Sequence, residues 1–246
     1  MINFFIRCFI LISLGGFPQA NSKEYTVGVE LLDYRPIWFV DSDRFSGFAR
    51  EVLDAFAREY HHKFIYRPLP VKRLWSEFLL GQLDFKYPDS QSWGPSEKGK
   101  QHIYYSKPTL SFKDGVMVKP ENFGKTHTLS RLGIIRGFTP DGYQERIQKG
   151  EIELFELTKP KQLFDLMKMN RLDGIYINTI VANFFMLTKK YPHHMVAFDP
   201  SLPHTKGSYR LSSIKHPELI EEFNQFMENN KQELNYIKSL YGISAE

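Results

Sequence analysis

The chain has 246 residues, with 32 Lys and Arg against 28 Asp and Glu and a formal net charge of +4 at pH 7. Proteins that bind nucleic acids usually carry a basic stripe or a clear excess of Lys and Arg. Acidic and basic residues are interspersed here, so the composition argues against a nucleic-acid partner. A chain of this length can bury a large core in one or two domains.

Residues 1–22 predict a secretory signal peptide. Arg7 precedes an apolar run, Cys8–Leu14, and the small residues Ala20 and Ser22 follow. This order is typical of a signal that is removed on export, so we expect cleavage after Ser22 and a mature protein in the periplasm. The apolar run is shorter than the ~20 residues of a membrane-spanning helix. An uncleaved N-terminal anchor is the alternative.

The sequence predicts neither a metal site nor a cofactor. Its only cysteine, Cys8, lies inside the predicted signal, so the exported chain would have no disulfide and no thiol ligand. The pairs His61-His62 and His193-His194 are adjacent, and neighbouring residues on a strand point to opposite faces. No phosphate-binding glycine loop or nucleophile motif occurs. No catalytic residue is therefore predicted.

After the predicted signal, the sequence alternates between strand and helix patterns. Tyr25–Val29 is rich in β-formers, Phe48–Tyr60 has apolar residues at helical spacing, and Phe64–Tyr66 predicts a second strand. A second helix is expected over Val71–Leu80, because Gly81 ends it. This order with short connections predicts an α/β fold with mostly parallel strands.

The same pattern restarts after Pro120. A strand is expected at Leu132–Ile135, and Thr139-Pro140 is expected to open a helix with Thr139 as its N-cap. The later elements are expected to be a helix from Pro160, a strand at Gly174–Ile177, a helix through Phe184 and Phe185, a strand at Met195–Phe198, and helices at Pro217–Asn229 and Glu233–Tyr241.

Seven short motifs follow one another along the chain. They are Tyr25–Val29, Tyr34–Trp38, Phe45–Ala49, Leu80–Asp84, Tyr105–Pro108, Leu132–Thr139 and Asn170–Gly174. In this order they resemble the periplasmic solute-binding proteins of amino-acid transporters, extracellular solute-binding family 3, over roughly residues 24–242. Each motif is weak alone, and the resemblance depends on their common order.

The resemblance implies a two-lobed α/β fold of the type II periplasmic-binding class. Each lobe would be a mostly parallel sheet flanked by helices, with a ligand cleft between the lobes. We expect lobe one at residues 23–118 and 203–246 and lobe two at residues 119–202, with hinges near Val118 and Leu202. The expected protein is a monomer that presents its ligand to the membrane permease of an ABC-type transporter or to a membrane sensor.

Two positions depart from the family pattern. Where amino-acid binders of the family hold the α-carboxylate with Arg, this chain has Gly99, and Lys98 or Lys100 could supply only a point charge. The family's acidic partner of the α-ammonium group corresponds to Asn178, which is neutral. We therefore expect a small polar organic ligand that is not a standard α-amino acid.

The candidate ligand-binding residues come from four stretches of the chain. They are Tyr34 and Trp38 in the first loop, Lys86, Tyr87, Asp89 and Trp93 in an expected cleft wall, Arg136, Gly137 and Thr139 before the expected helix, and Asn178. Each stretch has a structural alternative. Tyr34 and Trp38 could be buried inside their lobe, the wall could be a surface turn with Trp93 as a lid over the core, and Thr139 could only cap its helix.

The predicted function is capture of a small polar metabolite by hinge closure, without turnover. An enzyme of the same fold, similar to a dehydratase, is the main alternative, with Asp89 and Lys86 as acid and base. An interaction protein that binds no ligand is the third.

Overall fold

The structure is a computed structural model that describes residues 23–94, 98–99, 101–188, 191–192 and 194–243. The predicted signal peptide, Lys100 and His193 lie outside the described residues. Over the described ranges, no helix combines the length and the apolar character needed to span a membrane.

The first half of the fold is built on three parallel strands. The central strand β1 (Glu24–Glu30) pairs on one side with β4 (Lys63–Leu69) and on the other with β5 (Phe85–Asp89). Helix α1 (Phe48–Glu59) and helix α2 (Val71–Leu79) make the crossovers, as the apolar spacing predicts. The predicted strands and helices of this half are thereby confirmed within one residue at each end, except that β4 continues three residues beyond the predicted end at Tyr66.

A short hairpin lies between β1 and α1. It consists of β2 (Phe39–Asp41) and β3 (Arg44–Ser46), joined by Ser42 and Asp43 with φ of 47° and 64°. Positive φ at both central residues is the geometry of a tight hairpin turn.

The second half repeats the parallel arrangement. Strand β8 (Arg131–Ile135) pairs in parallel with β9 (Glu153–Leu157) and with β10 (Gly174–Asn178). Helix α4 (Pro160–Lys168) begins with its proline in the first turn, as the sequence predicts, and α5 (Thr179–Thr188) follows β10 directly. The remaining elements are β6 (Tyr104–Tyr105), β11 (Ala197–Phe198), α6 (Pro217–Asn229) and α7 (Lys231–Leu240).

Two long antiparallel strands join the halves. Strand β7 (Leu110–Val118) pairs with β12 (His204–Ser213) through its first part and with β10 through its second part. Strand β12 continues from β7 to β5, with a shift of register between Arg210 and Ser212. The strands therefore form one curled sheet in the order β4-β1-β5-β12-β7-β10-β8-β9. The predicted α/β fold is confirmed.

The helix expected at Thr139-Pro140 is wrong. The N–H of Tyr143 donates to the carbonyl of Pro140 in a turn, and the short helix α3 begins only at Gln144 and ends at Gln148. Gly142 between them has φ of 83°, in the left-handed region that a right-handed helix cannot contain. Thr139 therefore caps no helix.

One glycine lets α2 approach the sheet. A Cβ on Gly28 of β1 would lie 2.5 Å from Leu74 of α2 and closer still to Leu83. Gly28 faces Lys86 across the β1–β5 pair. The absent side chain thus lets α2 pack over this end of the sheet.

We expect Gly28→Ala to lower the free energy of unfolding by about 1–3 kcal/mol, because the added methyl group overlaps two buried side chains. Denaturant unfolding of the wild type and the variant measures this change. In a Leu83→Ala background, Gly28→Ala should lower the free energy of unfolding by less, since one of the overlaps is removed. An equal penalty in both backgrounds would show that the overlap is not the cause.

Candidate ligand-binding site

The carboxyl ends of the parallel strands from both halves meet in one place. Glu30 ends β1, Asp89 ends β5 and Asn178 ends β10, and the loop after β8 carries Gly137 and Phe138. In open α/β sheets, ligands bind beyond the carboxyl ends of the strands. We therefore treat this junction, called the cleft below, as the candidate site.

The two halves touch across the cleft. The backbone N–H of Asn178 donates to the hydroxyl oxygen of Tyr34 at 3.2 Å. The rings of Tyr34 and Phe138 meet edge to face with centroids 5.5 Å apart. A Cβ on Gly137 would lie 3.3 Å from Val71 at the start of α2, so this contact depends on glycine.

The Asn178 side chain uses both ends of its amide. Its Oδ1 accepts from the N–H of Ile180 at 2.8 Å, which caps α5. Its Nδ2 donates to Asp114 Oδ1 at 3.0 Å and to the hydroxyl of Tyr209 at 3.1 Å. A carboxylate in this place could not donate to Asp114. The hydrogen bond to Asp114 therefore depends on the neutral amide of Asn178.

Lys86 and Asp89 form a buried ion pair. Lys86 Nζ lies 3.0 Å from Asp89 Oδ1, and the two side chains are 1% and 0% exposed. The ammonium group also donates to the carbonyl of Pro88 at 3.0 Å and lies 3.8 Å from the ring centre of Trp75. Asp89 Oδ2 accepts from the hydroxyl of Ser212 at 2.6 Å. The two charges therefore neutralise each other, and their hydrogen bonds are made within the first half.

Aromatic rings cover one side of the cleft. Tyr209 lies 4.8 Å from Phe112, 5.3 Å from Trp38 and 5.8 Å from Trp93, measured between ring centroids. The Trp38 ring is 1% exposed, and its indole N–H has no hydrogen-bond partner among the described residues. This wall can stack against an apolar or cationic part of a ligand.

Glu30 is the buried ionisable group of the cleft that lacks a hydrogen-bond partner for one of its oxygens among the described residues. Its side chain is 3% exposed, and Oε2 has no hydrogen-bond partner within the described part of the chain. Burial raises the pKa of Glu30 to about 7, Lys86 lowers it, and Asp89 and Asp114 raise it further. Burial likewise raises the pKa of the partly exposed Asp114 to about 7.

The sequence pattern of the bacterial extracellular solute-binding proteins, family 3, matches residues 25–241 of this chain. The chain belongs to this family. A comparison with curated protein sequences finds no match.

Several solved structures share the fold of this chain. The chain is similar to a substrate-binding protein of an ABC uptake transporter from Streptococcus pneumoniae with bound histidine, with a TM-score of 0.70 and 18% identity over 89% of this chain and 92% of that one. It is also similar to the GluR0 ligand-binding core from Nostoc punctiforme in complex with L-glutamate, with a TM-score of 0.71 and 15% identity over 88% and 98% of the chains.

An ancestral amino-acid-binding protein described as a precursor of cyclohexadienyl dehydratase has a TM-score of 0.67 and 17% identity, over 89% of this chain and 95% of that one. At these identities the likeness concerns the fold. The expected two-lobed, type II periplasmic-binding fold is confirmed.

Seven of the residues predicted from the family pattern lie together in the cleft. These are Tyr34, Trp38, Lys86, Asp89, Trp93, Gly137 and Asn178. Their role as ligand contacts stays a prediction.

The other three predicted residues are placed differently. The Tyr87 hydroxyl lies 2.7 Å from Thr109 Oγ1. Arg136 and Thr139 are exposed, and the helix start that was expected to aim N–H groups at a ligand does not exist there.

Sequence reasoning missed several members of the cluster, namely Glu30, Trp75, Asp114, Tyr209 and Ser212. A signal was present for two of them. Glu30 is a charged residue directly after the apolar run of β1, and Asp114 interrupts the apolar strand β7. Charged residues in such places are rarely buried without a partner or a function.

The raised pKa of Glu30 makes the stability of this family 3 protein depend on pH. A carboxyl group whose pKa rises on folding, here from 4.5 to about 7, stabilises the fold below about pH 4.5. That contribution is lost as the pH rises through about 7, and its upper limit is about 3 kcal/mol. We therefore expect the free energy of unfolding to fall between pH 5 and pH 8.

Glu30→Gln should reduce this fall, and Glu30→Gln with Asp114→Asn should remove most of it, because neither amide titrates. Denaturant unfolding at both pH values measures the effect. Glu24→Gln, at the exposed opposite end of β1, is the matched control and should behave like the wild type. A pH dependence that Glu30→Gln leaves unchanged would show that Glu30 is ionised in the folded state throughout.

Proposed function

We propose that this family 3 protein captures a small polar organic molecule between its two halves, without turnover, and presents it to an ABC-type permease or a membrane sensor. The supporting observation is the cluster at the carboxyl ends of β1, β5 and β10, where both halves contribute buried polar groups and aromatic rings. Such a site binds tightly only when both halves contact the ligand.

The proposed motion is a hinge closure. Strands β7 and β12 carry the chain between the halves, so a change of twist in this pair would open or close the cleft. Residues 23–118 and 203–246 would move against residues 119–202. A ligand that contacts both sets of residues favours the closed form by the difference in contacts.

The proposed ligand is not a standard α-amino acid. Gly99 provides no guanidinium for a carboxylate, and the amide of Asn178 is already shared among Asp114, Tyr209 and the start of α5. The proposed location is the periplasm, after cleavage near Ser22, with the protein acting as a monomer.

Calorimetry on the purified mature protein tests the ligand class, and a thermal-shift screen against metabolites finds the ligand. We expect no micromolar binding of the standard L-amino acids, and a smaller radius of gyration in small-angle scattering once a confirmed ligand is added. Trp93→Ala and Phe138→Ala, one from each half, should each weaken binding about tenfold or more.

The exposed Tyr236 on α7 offers a control, and Tyr236→Ala should leave the affinity unchanged. An unchanged radius together with unchanged affinity in the Trp93 and Phe138 variants would place the ligand outside the cleft. A clear micromolar amino-acid ligand would overturn the proposed ligand class.

One observation favours a second candidate function. Two carboxyl groups in the cleft, Glu30 and Asp114, have a pKa of about 7, which suits general acid–base catalysis at neutral pH. The ion-paired Asp89 and Lys86 are less suited to this role than the sequence suggests. Incubation of the bound ligand with the protein, followed by NMR, distinguishes the two functions, because only an enzyme converts the ligand.

A further inference from the structure

The cleft contains more acidic than basic groups. The carboxyl groups of Glu30, Asp89 and Asp114 and the ammonium group of Lys86 influence one another there. Lys98 lies close enough to be influenced by Asp89 and Lys86, and the exposed Asp141 acts on Asp114. Their neighbours Tyr34 and Tyr209 are phenols whose pKa is raised, mainly by burial and additionally by Asp114 and Glu30. If every acid were ionised, the set would carry an excess negative charge.

Both ammonium groups are already engaged within the first half. Lys86 is paired with Asp89 at 3.0 Å. Lys98 donates to the carbonyl oxygens of Ser90 and Gln91 at 3.1 and 2.7 Å. Neither ammonium group is directed at Glu30 by a hydrogen bond in the described structure, so Glu30 has no cation of its own.

The position of Glu30 is unfavourable without a counter-charge. A carboxylate that is 97% buried needs a cation or several hydrogen-bond donors, and Oε2 has none among the described residues. Among the described residues, the side chain of Asp114 accepts one hydrogen bond, from the Asn178 amide. Glu30 is at the end of β1, and Asp114 is on β7, the connecting strand that pairs with β10 of the second half.

The aromatic surroundings fit a cation as well. Lys86 already places an ammonium group 3.8 Å from the centre of the Trp75 ring and 5.8 Å from that of Trp93. Rings of Tyr34, Trp38 and Trp93 extend the same wall. Aromatic faces next to a carboxylate are the combination that recognises organic ammonium and guanidinium groups.

A ligand carboxylate would be repelled in the same place. It would approach two carboxyl groups, and Gly99 offers it no guanidinium. We propose, resting on the proposed function, that the cleft takes a small organic cation without a carboxylate, whose charge is neutralised by Glu30 and Asp114.

Matched pairs of probes test this proposal by calorimetry. Agmatine and arginine differ by a carboxylate, and choline and 3,3-dimethyl-1-butanol differ by a positive charge. We expect at least one of the two cations, agmatine or choline, to bind, and its carboxylated or neutral counterpart to bind at least about tenfold more weakly. Binding of the cation should be tighter at pH 8 than at pH 6, since it must displace the protons of Glu30 and Asp114 at the lower pH.

The variants are Glu30→Gln and, as the matched control, Glu24→Gln at the exposed end of the same strand. Glu30→Gln should weaken the cation at least about tenfold and reduce the pH effect, whereas Glu24→Gln should change neither. Circular dichroism checks that both variants fold. Asp114→Asn is a second test, expected to act in the same direction if Glu30→Gln does not fold.

The outcomes separate this proposal from the proposed function. If neither agmatine nor choline binds, or if arginine binds as tightly as agmatine, the cation proposal is wrong. If a neutral or anionic metabolite from the thermal-shift screen closes the cleft equally well in Glu30→Gln and the wild type, the proposed function holds and the cation proposal fails. If no compound of any charge binds, both fail.

Discussion

The amide of Asn178 holds the centre of this molecule together. It caps α5, donates to Asp114 on β7 and to Tyr209 on β12, and its backbone N–H reaches Tyr34 in the other half. One residue thus links a helix start, both connecting strands and the first loop. An aspartate could cap the helix equally well, but it would place a second carboxylate 3.0 Å from Asp114. The acidic residue on β7 therefore requires a neutral hydrogen-bond donor at position 178.

The two acidic groups at the ends of β1 and β5 differ in their hydrogen-bond partners. Asp89 is fully buried, yet Lys86, Ser90 and Ser212 satisfy its oxygens, so it acts as a structural support of the cleft wall. Glu30 is almost equally buried, but its Oε2 has no hydrogen-bond partner in the part of the chain that the structure describes. A fold optimised only for stability would replace such a group by an apolar one, because burying a carboxyl without partners costs free energy. Its burial at the junction of the two halves is the observation on which its proposed role in binding rests.

The architecture could be predicted from the sequence because it depends on residue patterns. Periodic apolar residues define α1 and α2, and Pro160 marks the start of α4 within one residue. The helix expected at Thr139 does not form there. A capping residue and a proline favour a helix start at this point, but the glycine three positions later has a left-handed backbone, which delays the helix to Gln144.

The site was harder to predict, since it depends on contacts between distant segments. The sequence predicts Lys86 and Asp89 as polar residues of the wall, but their spacing of three positions in β5 does not indicate that the two side chains pair at 3.0 Å. Asp114 lies 64 positions from Asn178, and nothing in the local sequence of either residue indicates the bond between them. The order of strands in the sheet, which places β7 beside β10, is what brings the two together.

Closure and charge are coupled in such a site. In the proposed closure, bringing the halves together would remove water from Glu30 and Asp114, and burial raises the pKa of both groups to about 7 in this structure. The closed form without ligand would therefore take up protons near neutral pH. A bound cation would reverse this effect, because its charge would stabilise the two carboxylates in place of the hydrating water that closure removes. The ligand would then stabilise the closed form in two ways, through its contacts with both halves and by relieving the burial of two carboxyl groups. A neutral ligand of the same shape could provide only the first, so the acidic pair selects by charge at the step of closure.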